Sequence, residues 1–185
     1  MKTRSGACAG ALLALVAALG LGLSPTPASA HAAHPEHPDG AHRVVYKGDG
    51  VKVWRKSGQL DRLDDTSKPF RKLVRSELDR MWEEWADSDP DCAQAPLVMV
   101  KEYRNRVAFI ANQGVFSGGP GDAPGSCASG GAYHFYVKRD GKWKAPDALG
   151  GQDIMRCSVL RKWDIPRMNG ARTCLRGDEV VRWNG

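Results

Sequence analysis

The stretch YHFYVKRDGKWKA, residues 133–145, sets an aromatic run and a tryptophan on either side of Asp140-Gly141. Alternating bulky residues flanking such a dipeptide predict a β-hairpin, and with it an antiparallel sheet. Two registers compete. A two-residue turn places Val137 opposite Lys144 and Lys138 opposite Trp143, scattering apolar groups over both faces. A three-residue loop, Arg139-Asp140-Gly141, with Gly141 in the left-handed position, pairs Lys138 with Lys142. One face then carries Tyr133, Phe135, Val137, Trp143 and Ala145. The other carries His134, Tyr136, Lys138, Lys142 and Lys144. A sheet with one buried face selects the segregated register. The bulged loop is therefore the expectation, with His134, Tyr136, Lys138, Lys142 and Lys144 forming a solvated outer face and a candidate patch for an anion or partner.

Upstream, residues 70–85 place Phe70, Leu73, Val74, Leu78, Met81, Trp82 and Trp85 at spacings of three and four. This is the stripe of an amphipathic helix facing a core. Thr66 or Ser67 can cap its first amides, and Pro69 suits the first turn. Trp82 and Trp85 read as core rather than as a ligand stack. Residues 97–100 and 107–111 are short apolar runs separated by a polar break, the pattern of two central antiparallel strands. Val44 and Val45, then Val51 and Val53, suggest a short hairpin at the sheet edge. The fold class expected is α+β, a long amphipathic helix packed on an antiparallel β-sheet and stapled by disulfides.

The beginning of the chain has the pattern of an export signal: Lys2 and Arg4, the apolar run ALLALVAALGLGL, then Ala28-Ser29-Ala30. That run is shorter than the roughly 20 residues of a membrane span, so no retained membrane anchor is expected. The division expected is 1–30 signal peptide, 31–42 flexible His/Pro-rich leader and 43–185 a single domain. Losing Lys2 and Arg4 lowers the formal charge from +6 to +4. The remaining charges are too mixed along the sequence to mark a nucleic-acid stripe, and no specific nucleic acid is expected. Cys8 leaves with the signal. Cys92, Cys127, Cys157 and Cys174 remain, an even set that predicts two disulfides in an oxidising compartment. Three connectivities exist. Folding back about the break at 102–106 brings the flanks of the central strands together, which favours Cys92–Cys127 and with it Cys157–Cys174. None of these cysteines has the close spacing of a structural zinc site.

The helix at 70–85, the strands near 97–111 and the hairpin at 133–145 together resemble the cone-shaped nuclear-transport-factor-2-like and cystatin-like folds. The run CSVLRKWDIPRMNGARTC is similar to a segment of small exported actinobacterial proteins of unassigned function, through Cys157, Val159, Leu160, Pro166 and Cys174. The first resemblance implies a curved sheet that can enclose a pocket. Neither implies an activity, since fold alone does not choose one.

No phosphate-binding glycine loop, zincin motif or nucleophile elbow is present in the sequence. The polar groups that could do chemistry are His134, Glu102, Asp147, Asp153 and Asp164. Acid–base catalysis by His134 would need a carboxylate orienting its second nitrogen. His31, His34 and His37, with His42 close behind, are weak candidates for copper or zinc. No cofactor is expected. The leading expectation is a secreted, non-catalytic binding or interaction domain. Its partner would be an extracellular protein, a small ligand or an anionic cell-envelope polymer. The alternative is a small pocket enzyme or small-ligand binder on a cone-shaped fold. The space between Trp82, Trp85, Phe109, Phe135 and Trp143 distinguishes the two.

Overall fold

The computed structural model describes residues 42–55, 59–85, 92, 95–116, 127 and 131–185. Helix α1 runs Lys68–Trp85 and buries Phe70, Val74, Leu78 and Met81, the periodic stripe read from the sequence. Ser67 is the residue that caps it, its Oγ accepting from the Phe70 amide at 3.3 Å. Charges four apart on its outer side, Arg75 with Asp79 and Arg80 with Glu84, suggest two ion pairs; Arg80–Glu84 forms, while Asp79 instead meets Arg55 at 3.2 Å.

The main sheet is antiparallel. Its centre is β3 (Pro96–Arg104), β4 (Val107–Val115) and β5 (Ala132–Arg139). Both edges are made of two short pieces. On one side β1 (Arg43–Val45) and β2 (Val51–Trp54) each pair with β3, Arg43 opposite Arg104 and Val51 opposite Val100. They lie one after the other along the same edge and not against each other as the expected hairpin. On the other side β6 (Lys142–Lys144) and β7 (Gly150–Gly151) both pair with β5. Beyond β7 come a short helix α2 (Cys157–Lys162) and a separate hairpin of β8 (Thr173–Arg176) and β9 (Glu179–Arg182).

Both faces of the main sheet are buried. On one, α1 covers Val53, Val98, Val100, Tyr103, Ala108, Ile110, Tyr136 and Trp143. On the other, the C-terminal segment lays Leu160, Ile165, Met168, Cys174 and Trp183 over Val107, Phe109, Phe135 and Val137. Trp183 is fixed there by its indole N–H, which donates to the Ile165 carbonyl at 2.9 Å. Trp82 and Trp85 are half-buried beside a third, smaller cluster of Cys92, Ala95, Val115 and Cys127. The disulfides are Cys92–Cys127 and Cys157–Cys174, as favoured from the sequence. The second ties α2 to β8.

Two-sided burial overturns the expected hairpin register. The turn has two residues, with Val137 opposite Lys144, Lys138 opposite Trp143 and Arg139 opposite Lys142. Asp140 and Gly141 both take positive φ, 53° and 73°, the geometry of the tight turn that matches strand twist. Spreading apolar groups over both faces carries no penalty when each face has a core to enter. Phe135 and Val137 enter the C-terminal core; Tyr136 and Trp143 enter the core under α1.

Candidate anion-binding cleft

A bulge in β3 shapes a cluster of charged side chains. The register against β4 shifts between Val100 and Glu102. Val100 and Tyr103 consequently both face α1, although an odd number of positions separates them, and Glu102 turns toward the C-terminal segment. Its carboxylate is fully buried. Oε1 accepts from Arg43 Nε at 2.8 Å, Arg104 Nε at 3.0 Å and Arg104 Nη2 at 2.9 Å. Oε2 accepts from the Asn169 amide N–H and side-chain Nδ2, each at 2.9 Å. Burial pushes the Glu102 pKa up. The hydrogen bonds from Arg43, Asn169 and Arg104 outweigh it and hold the group below the ordinary carboxylate value.

Arg43 and Arg104 lie directly opposite each other on β1 and β3, a repulsive pairing that the carboxylate between them offsets. Arg104 also donates through Nη2 to the Arg167 carbonyl at 3.0 Å, and Arg172 donates to Asn169 Oδ1 at 3.1 Å. Arg43, Arg104, Arg167 and Arg172 line an open cleft of about 240 Å³ with Met168 and Asn169. Among the described residues, Glu102 is the only carboxylate ion-paired with any of these four guanidiniums. The cleft therefore keeps an excess of positive charge. Held in place by Glu102, Arg43 and Arg104 present part of a preorganised fork for an oxyanion.

A second cleft of about 240 Å³ adjoins the first through Arg104. Val107, Val137, Trp163 and Pro166 give it an apolar lining, and Arg106, Lys138 and Arg139 bring cationic groups to it. Arg139 pairs with Asp164 at 3.0 Å, and its guanidinium lies 5.8 Å from the centre of the Trp163 ring.

The residues singled out in the sequence are dispersed. The expected outer patch divides: Tyr136 is fully buried, and Lys138 shares its side of the hairpin with Trp143, while Lys142 and Lys144 lie across the sheet opposite Arg139 and Val137. His134 is half-buried under α1, its ring so close to Gly150 that a Cβ there would come within 2.1 Å of it. Its Nδ1 is buried without a hydrogen-bond partner. Burial first, then the nearby Arg80 charge, lowers its pKa against an opposing pull from Asp147. Among the described residues, no carboxylate is hydrogen-bonded to the imidazole. Asp153 supplies only its backbone carbonyl, to the Tyr133 hydroxyl, Asp164 pairs with Arg139, and Asp147 lies exposed in a short 3-10 turn. His42 donates from Nε2 to the Asp65 carbonyl at 2.6 Å. His31, His34 and His37 lie outside the described residues, as do the proposed signal and the rest of the leader; among the described residues no cluster of metal-ligating side chains occurs. The space expected between Trp82, Trp85, Phe109, Phe135 and Trp143 is not one space: the sheet runs through it, and Phe109 and Phe135 belong to the opposite core from Trp143.

The arginine cleft itself went unpredicted. Its four guanidiniums come from positions 43, 104, 167 and 172, with no local spacing to mark them. Glu102 was noted in the sequence as a polar group that could do chemistry, but it read as part of the break at 102–106, whereas the structure places it within β3. No family model, curated protein or solved structure matches the chain.

Proposed function

We propose that this chain is an exported, non-catalytic binding domain whose guanidinium cleft holds an anionic group of its ligand. One observation carries the reading: Arg43 and Arg104 meet on a single buried carboxylate whose two oxygens are already committed to internal donors, and Arg167 and Arg172 line the same cleft. Guanidinium forks match carboxylate, phosphate and sulfate in shape as well as charge. Because Arg43 and Arg104 are tethered by Glu102, little side-chain freedom is lost when a ligand arrives. Of the partners expected from the sequence, the anionic ones fit this cleft best. Export is supported by the leader pattern of residues 1–30 and by two disulfides that belong in an oxidising compartment. No helix among the described residues is long and apolar enough to cross a membrane.

Calorimetric titration with inorganic phosphate at low ionic strength tests the reading. Saturable binding is expected, weakened at least tenfold (about 1.4 kcal/mol) by combining Arg167→Gln with Arg172→Gln. Both side chains are exposed, so the fold should survive. Absence of binding by the native chain, or an unchanged affinity in the double variant, overturns it.

A further inference from the structure

We infer that the ligand is a small amphipathic anion that spans both clefts, its charged group among Arg43, Arg104 and Arg167 and its apolar body against Val107, Val137 and Trp163. The inference rests on the guanidinium-cleft reading and goes further by naming the ligand's second half. Arg104 lines both clefts, so an anion on one side of it has an apolar neighbour on the other. At about 240 Å³ each, the clefts fall short of the roughly 300 Å³ at which small-molecule sites begin. Joined through Arg104 they reach that range.

The second cleft is firmly built. Val107 and Val137 are paired across β4 and β5 and are anchored in the C-terminal core. Trp163 is held by the Arg139 guanidinium, which Asp164 fixes in turn. Arg139 is paired with Asp164, and Arg106 and Lys138 stand at the cleft beside the apolar surface of Val107, Val137, Trp163 and Pro166. A ligand that is only charged, such as a chain of phosphates, leaves that surface unused. Among the described residues, a purely apolar one leaves the Arg167 guanidinium without an anionic partner. A planar ring or short acyl group carrying a phosphate or carboxylate satisfies both.

The probes are inorganic phosphate, phenyl phosphate and linear polyphosphate, titrated calorimetrically into the full chain. Burying part of one ring should tighten phenyl phosphate about tenfold over inorganic phosphate. Trp163→Ala should abolish that advantage and leave inorganic phosphate unchanged. Should this variant fail to fold, contacts between phenyl protons and the Val107 and Val137 methyl groups, read by NMR on the native chain, replace it; their absence counts against the inference. Equal affinity for phosphate and phenyl phosphate overturns the inference and leaves the cleft reading standing. Binding of neither removes both. Affinity that climbs with polyphosphate length beyond that of phenyl phosphate overturns it in favour of a polymeric anion.

Discussion

Replacing Glu102 with glutamine removes one charge at constant size, and the structure allows its cost to be worked out. The carboxylate accepts five hydrogen bonds, three from Arg43 and Arg104 through Oε1 and two from Asn169 through Oε2. An amide can keep its oxygen toward only one of these groups. Its NH2 then faces donors on the other side, leaving the Asn169 amide and side chain unmet or the arginines uncompensated. Two buried hydrogen bonds lost at about 1–1.5 kcal/mol each, plus part of the charge compensation of Arg104, come to about 3 kcal/mol. Arg43, at 55% exposure, adds little because water replaces its partner. At about 3 °C per kcal/mol for a domain of this size, Tm should drop by about 9 °C. The pH dependence is the sharper part. A carboxylate with a depressed folded pKa contributes stability that is complete above its unfolded value of 4.5 and is lost as pH falls through the lower folded value. Urea unfolding of native and Glu102→Gln chains should therefore show the full gap at pH 7 and a smaller one at pH 3. A gap under about 1 kcal/mol at pH 7, or one unchanged by acid, would refute the reasoning that this carboxylate organises the cleft.

Two further outcomes follow from other parts of the molecule. Replacing Cys157 and Cys174 with serine opens a closure of 17 residues and should cost about 3 kcal/mol, against about 4 kcal/mol for the 35-residue closure of Cys92 and Cys127, both read from urea midpoints. An effect near zero at either pair would show that the native geometry does not benefit from that link. His134 should titrate below 6.5 in an NMR pH series, because burial and Arg80 disfavour its charged form. Its contribution to stability is then complete above 6.5 and lost as pH falls through the lower folded value, so Tm should decline between pH 7 and 5, and less so in His134→Asn. A midpoint at or above 6.5 would contradict the packing of Gly150 on its ring.

How far the chain could be read beforehand depended on whether each feature is local. The stripe of α1 is local, since one helix presents one face: Phe70, Val74, Leu78 and Met81 are buried, and Leu73, Trp82 and Trp85 are half-buried at its margins. The central strands were legible for the same reason, through the apolar runs at 97–100 and 107–111, although the strands themselves extend to Pro96–Arg104 and Val107–Val115 and take in part of the polar break. The hairpin register was not, because it depends on something outside the hairpin. A sheet covered on one face would have rewarded gathering Phe135, Val137 and Trp143 on one side. Here α2 and residues 163–172 cover the face that the helix leaves open, and the tight Asp140-Gly141 turn places Trp143 and Val137 in different cores. Nothing within residues 133–145 announces that second layer.

The same second layer explains where ligand chemistry can sit. A curved sheet open on its inner side offers a pocket in its middle; this sheet has both faces filled by side chains, and the clefts lie instead at the end where Arg43, the Asn105-Arg106 turn, Arg139 and residues 163–172 come together. At that end one buried carboxylate serves two purposes. Through Asn169 it fastens the C-terminal segment to the sheet, and through Arg43 and Arg104 it aims the guanidiniums. If the cleft binds an anion, ligand and fold are therefore coupled: an occupied cleft draws on Arg104, Arg104 shares Glu102 with Asn169, and Asn169 holds the segment carrying Met168 in the core. Binding to the folded chain alone then raises its stability by mass action. A gain in Tm with phosphate that disappears in Glu102→Gln is what this coupling requires, and a gain that survives there would separate the carboxylate from the site.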